Sequence, residues 1–541
     1  MDMFFTVTYY LFIIHLVRSI IYWLHLWQIK EYRLDRILVH IQETRQGRSI
    51  LFGVEPVAKT AVIFFYFFTI FYPNYYWLIP FAVFGIYAYE LVRFLLDILQ
   101  KKINLPIFTP KLVVTAIATI AVVFLFLLIP LLDKFFWLVF VDKMVIWIIA
   151  FFMGVFSFPS IFYKDTQINK AIKKLREHKD VLVIGITGSY GKGSTKEYMY
   201  TILSSKFNTL KTPSTHNTPI GIARSILSNL NKSTDIFIVE MGAYKVGEIA
   251  EMCEFVQPKI GVLTAVNDQH VSLFGSIEQT KKTKYELIES LPTKSTALFN
   301  GNNENTRELF ENTHKRRKYL YYTGNKKSDE AYIAANHIYV HPTFLTFDVQ
   351  IGKQEYKKLR VDLVGAHHIQ NILPGIFIGQ QLKMTKSEIS DALRTIKPLY
   401  KTMEPFTGKA GTLFVDDSYN ANPASVLSAV DYLSHQRGKR GLVLQPMIEL
   451  GENGKNDHYM IAKEIGKICS HLFLTNTNFH KEIKKGIADS GSNCTIIFSS
   501  PKKMSKEIHG TFGKKGVVVF EGKESQLVLD LLSRTPVYRN H

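Results

Sequence analysis

Between Val183 and Thr195 the chain reads Val-Ile-Gly-Ile-Thr-Gly-Ser-Tyr-Gly-Lys-Gly-Ser-Thr, an apolar run that breaks into glycines, a lysine and hydroxyls. Residue types in that order handle phosphate. Gly188, Gly191 and Gly193, with Ser189 between the first two, let backbone N–H groups close on phosphate oxygens. The helix-like stretch 195–203, opening at Thr195, adds a positive dipole. Lys192 would reach the terminal phosphates, and the Ser194 hydroxyl would sit on Mg²⁺. The spacing departs from G-x-x-x-x-G-K-[ST], because Ile186 stands where the first glycine belongs and Gly193 follows the lysine. Strand, turn, lysine, hydroxyl and helix still fall in the order a nucleotide site needs.

The elements that must hold this loop are legible around it. Residues 181–186 read as a buried parallel strand, and apolar runs at 235–240, 260–265 and 296–299 alternate with amphipathic stretches. That alternation predicts an α/β fold with a parallel sheet and sites at the strand C-termini. A β-rich insert is expected over 319–363, where residues alternate as in His337-Ile-Tyr-Val-His341. A second α/β unit is expected from near Gly411, with 412–416 as a strand.

Ahead of residue 160 the chain is a different material. Hydrophobic residues make up 47% of the 541, yet mean hydropathy is near zero, so the average conceals an apolar N-terminal part and a charged remainder. About five segments approach membrane-spanning length: 3–27, 56–72, 75–96, 111–131 and 134–156. The first carries His15, Arg18 and His25, with no small-residue cleavage site after it, and the fifth is interrupted by Asp142-Lys143. Trp23, Trp27, Tyr75, Tyr76, Trp77 and Trp137 fall near segment ends, as interfacial aromatics do.

Lys30, Arg33, Arg36, Arg45, Arg48 and Lys59 lie in the first loop, and Lys101, Lys102 and Lys111 in the third; the second and fourth hold little beyond Lys134. Positive-inside bias then places the N-terminus outside and everything after residue 160 in the cytoplasm. Arg18 and the group Glu90, Arg93 and Asp97 are expected to snorkel or to pair between helices. Cys253, Cys469 and Cys494 form neither a disulfide framework nor a metal knuckle, so no disulfide-linked partner is expected. The net charge of +19 is spread rather than run together. It suits an anionic membrane surface or anionic substrates, and no nucleic-acid partner is expected.

Further signatures follow in fixed order: Thr215-His-Asn-Thr-Pro-Ile-Gly221, Val239-Glu-Met-Gly-Ala243 with Gly247-Glu-Ile249, Asn267-Asp-Gln-His270 with Phe274-Gly-Ser276, and Lys284-Tyr-Glu286. Beyond them stand Gly365-Ala-His-His-Ile-Gln-Asn371, Asp416-Asp-Ser-Tyr-Asn-Ala-Asn-Pro423 and Met447-Ile-Glu-Leu-Gly-Glu452. Together with the glycine loop they resemble the Mur ligase family of ATP-dependent amide-forming enzymes, over residues 180–541. The nearest branch adds D-alanyl-D-alanine to UDP-N-acetylmuramoyl-tripeptide. The apolar segments imply a transmembrane helical domain over 1–163, and the resemblance implies a P-loop central ATP-binding domain over 164–400 and a Rossmann-like C-terminal domain over 401–541. It implies a peptidoglycan-precursor ligase with a cell-wall peptide precursor and an amino acid or dipeptide as partners; the apolar segments and loop charges place it, multi-pass, in the inner (cytoplasmic) membrane with the bilayer as a further partner.

Roles follow by the same resemblance. ATP phosphorylates a carboxylate, and an amine attacks the acyl phosphate. Lys192 contacts phosphate; Ser194, with Thr195, holds the first Mg²⁺; Glu240 matches the Mg²⁺-binding carboxylate and His270 a ligand of the second. Lys284 matches a lysine that the family carbamylates, which would make it a carboxylate-like metal ligand. Asn300, His367 and Asn371 line the adenine side, and Asp417 reaches the ribose. His216 and Asn217 face the acceptor; Tyr419, Asn420 and Asn422 shape the amine side.

Several positions depart from the pattern. Gly193 intervenes between lysine and hydroxyl, as in the folylpolyglutamate branch. Gln445-Pro446 stand where relatives carry Gly-Asp, and Lys401 is the nearest cation to an expected interdomain arginine. The membrane segments occupy the place of the UDP-binding domain. Other readings are a ligase of the same superfamily for a lipid-linked or polyglutamyl acceptor, a P-loop transport ATPase, and a non-catalytic scaffold. The transport reading lacks its aspartate-ended strand and signature motif.

Overall fold

The computed structural model describes residues 2–30, 32–43, 45–99, 103–129, 132–213, 216–243, 245–267, 276–314, 317–324, 331–408, 411–447, 450 and 454–532. They divide into two compact units, Met1–Thr166 and Gln167–His541.

The first unit is helical. Asp2–Ile29, Val54–Phe71, Leu78–Leu99, Pro110–Leu128 and Lys134–Val155 belong to five segments long and apolar enough to cross a membrane. Two of these starts are set by polar caps. Thr109 accepts the Leu112 N–H ahead of Pro110, and Asp133 accepts the N–H groups of Phe135 and Phe136, both at 3.0 Å. Two short helices, Leu34–Glu43 and Arg45–Phe52, join the first segment to the second.

Near the middle of four of these helices lies a closed ring of acids and bases. His15 Nδ1 is 2.8 Å from Glu90 Oε2, and His15 Nε2 is 3.0 Å from Asp142 Oδ1. Lys59 Nζ is 2.7 Å from Glu90 Oε1 and also contacts Asp142 Oδ2. Glu90, Lys59 and Asp142 are buried, and Tyr87 packs against Lys59 and His15. This corrects two expectations. Lys59 is not a loop residue, and Asp142 does not interrupt its helix but completes a pairing inside the bundle. Arg18 pairs with Asp97 at 2.6 Å and Arg93 with Glu55 at 2.7 Å, so this group pairs between helices.

The second unit holds two sheets. The larger runs β2 (Thr209–Lys211), β3 (Ile236–Glu240), β1 (Leu182–Thr187), β4 (Ile260–Leu263), β5 (Thr296–Asn300), β6 (Arg317–Thr323), β7 (Ala331–Val340), β8 (Leu345–Ile351), β9 (Gln354–Val361). It is parallel through β7 and antiparallel beyond. The β-rich insert is therefore an extension of the same sheet. Alternate strand residues feed two cores: Ile184, Ile238 and Leu298 face the helices Lys192–Ser204 and His367–Gln381, while Val183, Val239 and Phe299 face Pro219–Asn229, Glu248–Val256 and Ile277–Glu289.

The smaller sheet runs β10 (Glu404–Thr407), β11 (Leu413–Asp417), β15 (Val517–Glu521), β12 (Arg440–Leu444), β13 (His471–Leu474), β14 (Thr495–Phe498). Only β10 is antiparallel, and it lies ahead of 412–416, the first strand expected in this unit.

Candidate active site

The glycine loop leaves the C-terminal end of β1, beside the point where the chain order reverses, the natural crevice of an open α/β sheet. Gly191 sits at φ 79°, and a Cβ there would lie 2.6 Å from Asn371 Oδ1. Gly188, at φ 150°, would meet Thr264 Oγ1 at 2.2 Å. Neither position admits a side chain. Because the left-handed turn ends at Gly191, the following helix begins at Lys192, earlier than the expected 195, and Ser194 falls in its first turn. Ser189 pins the loop, donating its hydroxyl to Asn267 O and its N–H to Ala265 O. The Lys192 ammonium donates to the loop's own carbonyls, Gly188 O at 2.6 Å and Ser189 O at 3.0 Å. Burial lowers its pKa, with Glu240 opposing.

Glu240 ends β3 and is buried. Lys196 Nζ, itself buried, donates to Oε2 at 2.9 Å, and Asn217 Nδ2 donates to Oε1 at 3.4 Å. A methyl group on Gly193 would lie 3.8 Å from Oε2, so the first helical turn, with Ser194, passes directly beside the carboxylate. One carboxylate and one hydroxyl next to a phosphate cradle fit Mg²⁺, which takes few protein ligands and completes its shell with phosphate oxygens and water. Ser194 and Glu240 would hold the ion, and its charge would neutralise phosphoryl oxygens.

Lys284, on the Ile277–Glu289 helix, is 4% exposed. Its Nζ lies 3.4 Å from Ala243 O. Its pKa is pushed down to about 7, first by burial and then by the charge of Lys192, against the pull of Glu248 and Glu286. Glu286 on the same helix caps the Glu248–Val256 helix, accepting N–H groups from Gly247 at 2.6 Å and from Ile249 and Ala250 at 3.1 Å. Glu286→Ala should strip all three donors of their acceptor. The expected cost is about 3 kcal/mol, seen as a lower thermal midpoint of the catalytic unit in the full-length protein.

The other expected site residues divide. His270 lies outside the described residues. Asn371 is placed against the phosphate loop, accepting the Thr195 hydroxyl at 3.3 Å, while Asn300 bonds Gln370 at 3.2 Å. His367 Nδ1 is buried without a hydrogen-bond partner, and burial depresses its pKa to about 4. It lines a cavity of about 280 Å³ with Thr323, Gln370 and Asp431. His216 bonds Ser225 at 3.2 Å, and Asn217 faces Glu240.

In the C-terminal sheet Asp417 is buried and accepts the Met403 N–H at 3.2 Å. Asn422 caps the Pro423–Ser434 helix; Tyr419 and Asn420 are exposed. Sequence reasoning assigned no role to Lys196 or Glu521. Both are fully buried charged types, a signal that only burial reveals.

A glycine loop, a strand-end glutamate and a buried lysine on this double α/β frame describe an ATP-using ligase. The Mur ligase middle domain matches residues 186–379, and the Mur ligase glutamate ligase domain matches 403–524, together more than half of the chain. The chain belongs to the Mur ligases, ATP-dependent enzymes that form carbon–nitrogen bonds. Neither match reaches the helical unit.

Among individual proteins, it is 28% identical over 371 residues to the UDP-N-acetylmuramoyl-tripeptide–D-alanyl-D-alanine ligase of Buchnera aphidicola, covering 68% of this chain and 79% of that one. Its fold is similar to MurF from Acinetobacter baumannii, with a TM-score of 0.61, 22% identity and coverage of 69% and 81%. It is also similar to the MurF ligase from Thermotoga maritima in complex with ADP, with a TM-score of 0.59, 24% identity and coverage of 69% and 83%.

Proposed function

We propose that this chain is a membrane-anchored ligase of peptidoglycan precursor synthesis that joins D-alanyl-D-alanine, or a similar amine, to the carboxylate of a muramoyl peptide. The observation that carries the reading is the convergence of Lys192, Glu240 and Lys284 around one phosphate loop in a Mur ligase frame. The carboxylate oxygen takes the terminal phosphoryl group of ATP. ADP leaves; the neutral amine then attacks the acyl carbon, the C–N bond forms, the acyl C–O bond breaks to release phosphate with its electron pair, and the nitrogen gives up a proton. Lys192 and the helix N-terminus supply positive charge where phosphoryl oxygens gain negative charge. The similarity to the Buchnera enzyme supports the dipeptide as the amine. Five long apolar helices support the membrane location, and the basic residues gathered in the first and third loops support a catalytic unit in the cytoplasm.

The deciding assay is phosphate release by full-length protein in detergent with ATP and Mg²⁺. It compares UDP-N-acetylmuramoyl-tripeptide with its lipid-linked counterpart, each with and without D-alanyl-D-alanine. Release that needs the dipeptide and either acceptor supports the reading. Release that ignores the dipeptide with both acceptors sinks it.

Lys284 belongs to the same proposal as a carbamate. Its pKa of about 7 leaves much of the amine neutral at neutral pH, the form that adds CO₂ while releasing one proton. The carbamate should form above pH 7 and fade as pH falls and the ammonium returns. Labelled bicarbonate should give one carbamate carbon resonance with that pH dependence, absent from Lys284→Arg. An unchanged spectrum in the variant would remove Lys284 from this role.

A further inference from the structure

We propose that Glu521 works as a neutral carboxylic acid, a positioning residue whose donated hydrogen bond holds the Asp417 carboxylate ready for the nucleotide. The inference rests on Asp417 as a nucleotide contact, the role proposed for it from its motif.

The geometry begins with two neighbouring parallel strands. Asp417 ends β11, Glu521 ends β15, and the register pairs them directly, so their side chains leave the sheet together. Asp417 is 6% exposed and Glu521 fully buried. Glu521 Oε1 accepts the Ser425 hydroxyl at 2.5 Å, from the first turn of the Pro423–Ser434 helix. Its Oε2 is buried and receives no hydrogen bond. A buried carboxylate oxygen beside a second carboxylate is satisfied only by carrying a proton and donating it.

The surroundings decide which group keeps that proton. The charged neighbour of the pair is Asp416, whose Oδ1 is taken by the Ser418 N–H at 3.1 Å and hydroxyl at 2.6 Å. Ser425 and the Gln445 N–H, which bonds Glu521 O, are neutral; Tyr198 stands near Asp417 from the central domain. Among the described residues neither carboxylate forms an ion pair with lysine or arginine. Two such acids cannot both ionise, and the deeper one, Glu521, stays protonated. Burial and the charge of Asp417 push the Glu521 pKa well above the carboxylate range. Burial raises Asp417 to about 6, while the Glu521 and Met403 hydrogen bonds restrain the rise. The pair is therefore one anion facing the site, fixed by one acid and one amide.

The test is calorimetric binding of ADP with Mg²⁺ to the full-length protein in detergent, from pH 5.5 to 8.5. The variants are Asp417→Asn, Glu521→Leu and Glu521→Gln. Losing a hydrogen bond to a charged group should weaken binding about tenfold in Glu521→Leu. Its affinity should also begin to fall at higher pH than in the wild type, because Asp417 loses a donor that favours its anion. Glu521→Gln should restore tight binding, since its amide N–H donates the same bond without a charge.

If Glu521→Gln binds as weakly as Glu521→Leu while Asp417→Asn is also weak, Glu521 acts as an anion and the proposal is overturned. Full affinity with an unshifted pH profile in Glu521→Leu overturns it too. Full affinity in Asp417→Asn removes the nucleotide role of Asp417 itself, and this proposal with it. If Glu521→Leu does not fold, Glu521→Gln alone decides.

Discussion

Lys192→Ala should lower ATP-dependent ligation by about 10³-fold or more while the protein stays folded. The ammonium now rests on Gly188 O and Ser189 O, inside the loop it belongs to. Those carbonyls are temporary partners. A nucleotide phosphate would offer stronger, charge-assisted ones, and the lysine has only to swing between them. Its removal takes one positive charge from the place where negative charge grows during phosphoryl transfer. It takes nothing from the sheet: β1 is held by β3 and β4, and the loop by Ser189. Steady-state phosphate release, read beside the thermal midpoint, separates the two effects. A variant that releases phosphate as fast as the wild type would remove Lys192 from the chemistry.

Lys59→Met should destabilise the helical unit by about 3–5 kcal/mol, a large share of a domain's stability. The lysine contacts both Glu90 and Asp142, and its loss leaves two buried acids to share His15. Breaking a buried pair is costly because the stranded charge remains in a medium that cannot solvate it. Replacing the whole ring with His15→Phe, Lys59→Met, Glu90→Leu and Asp142→Leu should recover most of that loss, since no charge is then stranded. Thermal midpoints of both proteins in one detergent make the comparison. Equal losses would show that the ring does more than satisfy itself.

What was readable in advance follows a physical line. The phosphate loop, its strand and the alternation of elements depend on residues adjacent in the chain, so residues 181–186 correspond closely to Leu182–Thr187. The five apolar segments are likewise local, because hydropathy accumulates along one helix. Pairings between distant residues leave no such trace. Lys196 and Glu240 are 44 residues apart, and His15 and Asp142 are separated by 127. Each charge, read alone, looks like a solvated one.

The edge strand β10 escaped for a related reason. Glu404-Pro-Phe-Thr is short, and its pairing with β11 comes from the antiparallel return rather than from its own pattern. Asn217 and Asn371 were legible as site residues but not by task. The fold turns one toward Glu240 and the other against the loop.

The connection that leads into β10 carries a quieter consequence. Lys401 at φ 54° and Met403 at φ 46° are both left-handed without being glycine, within one short stretch where the second matched domain begins. Each such residue costs roughly 1–2 kcal/mol. The stretch is held in this shape by the Met403 N–H on Asp417 and by the Tyr419 N–H on Lys401 O. It is a wound spring with two catches, one of them the carboxylate assigned to the nucleotide. The carboxylate that faces the site therefore also keeps the tension of this connection in place, so site and connection are tied through one side chain.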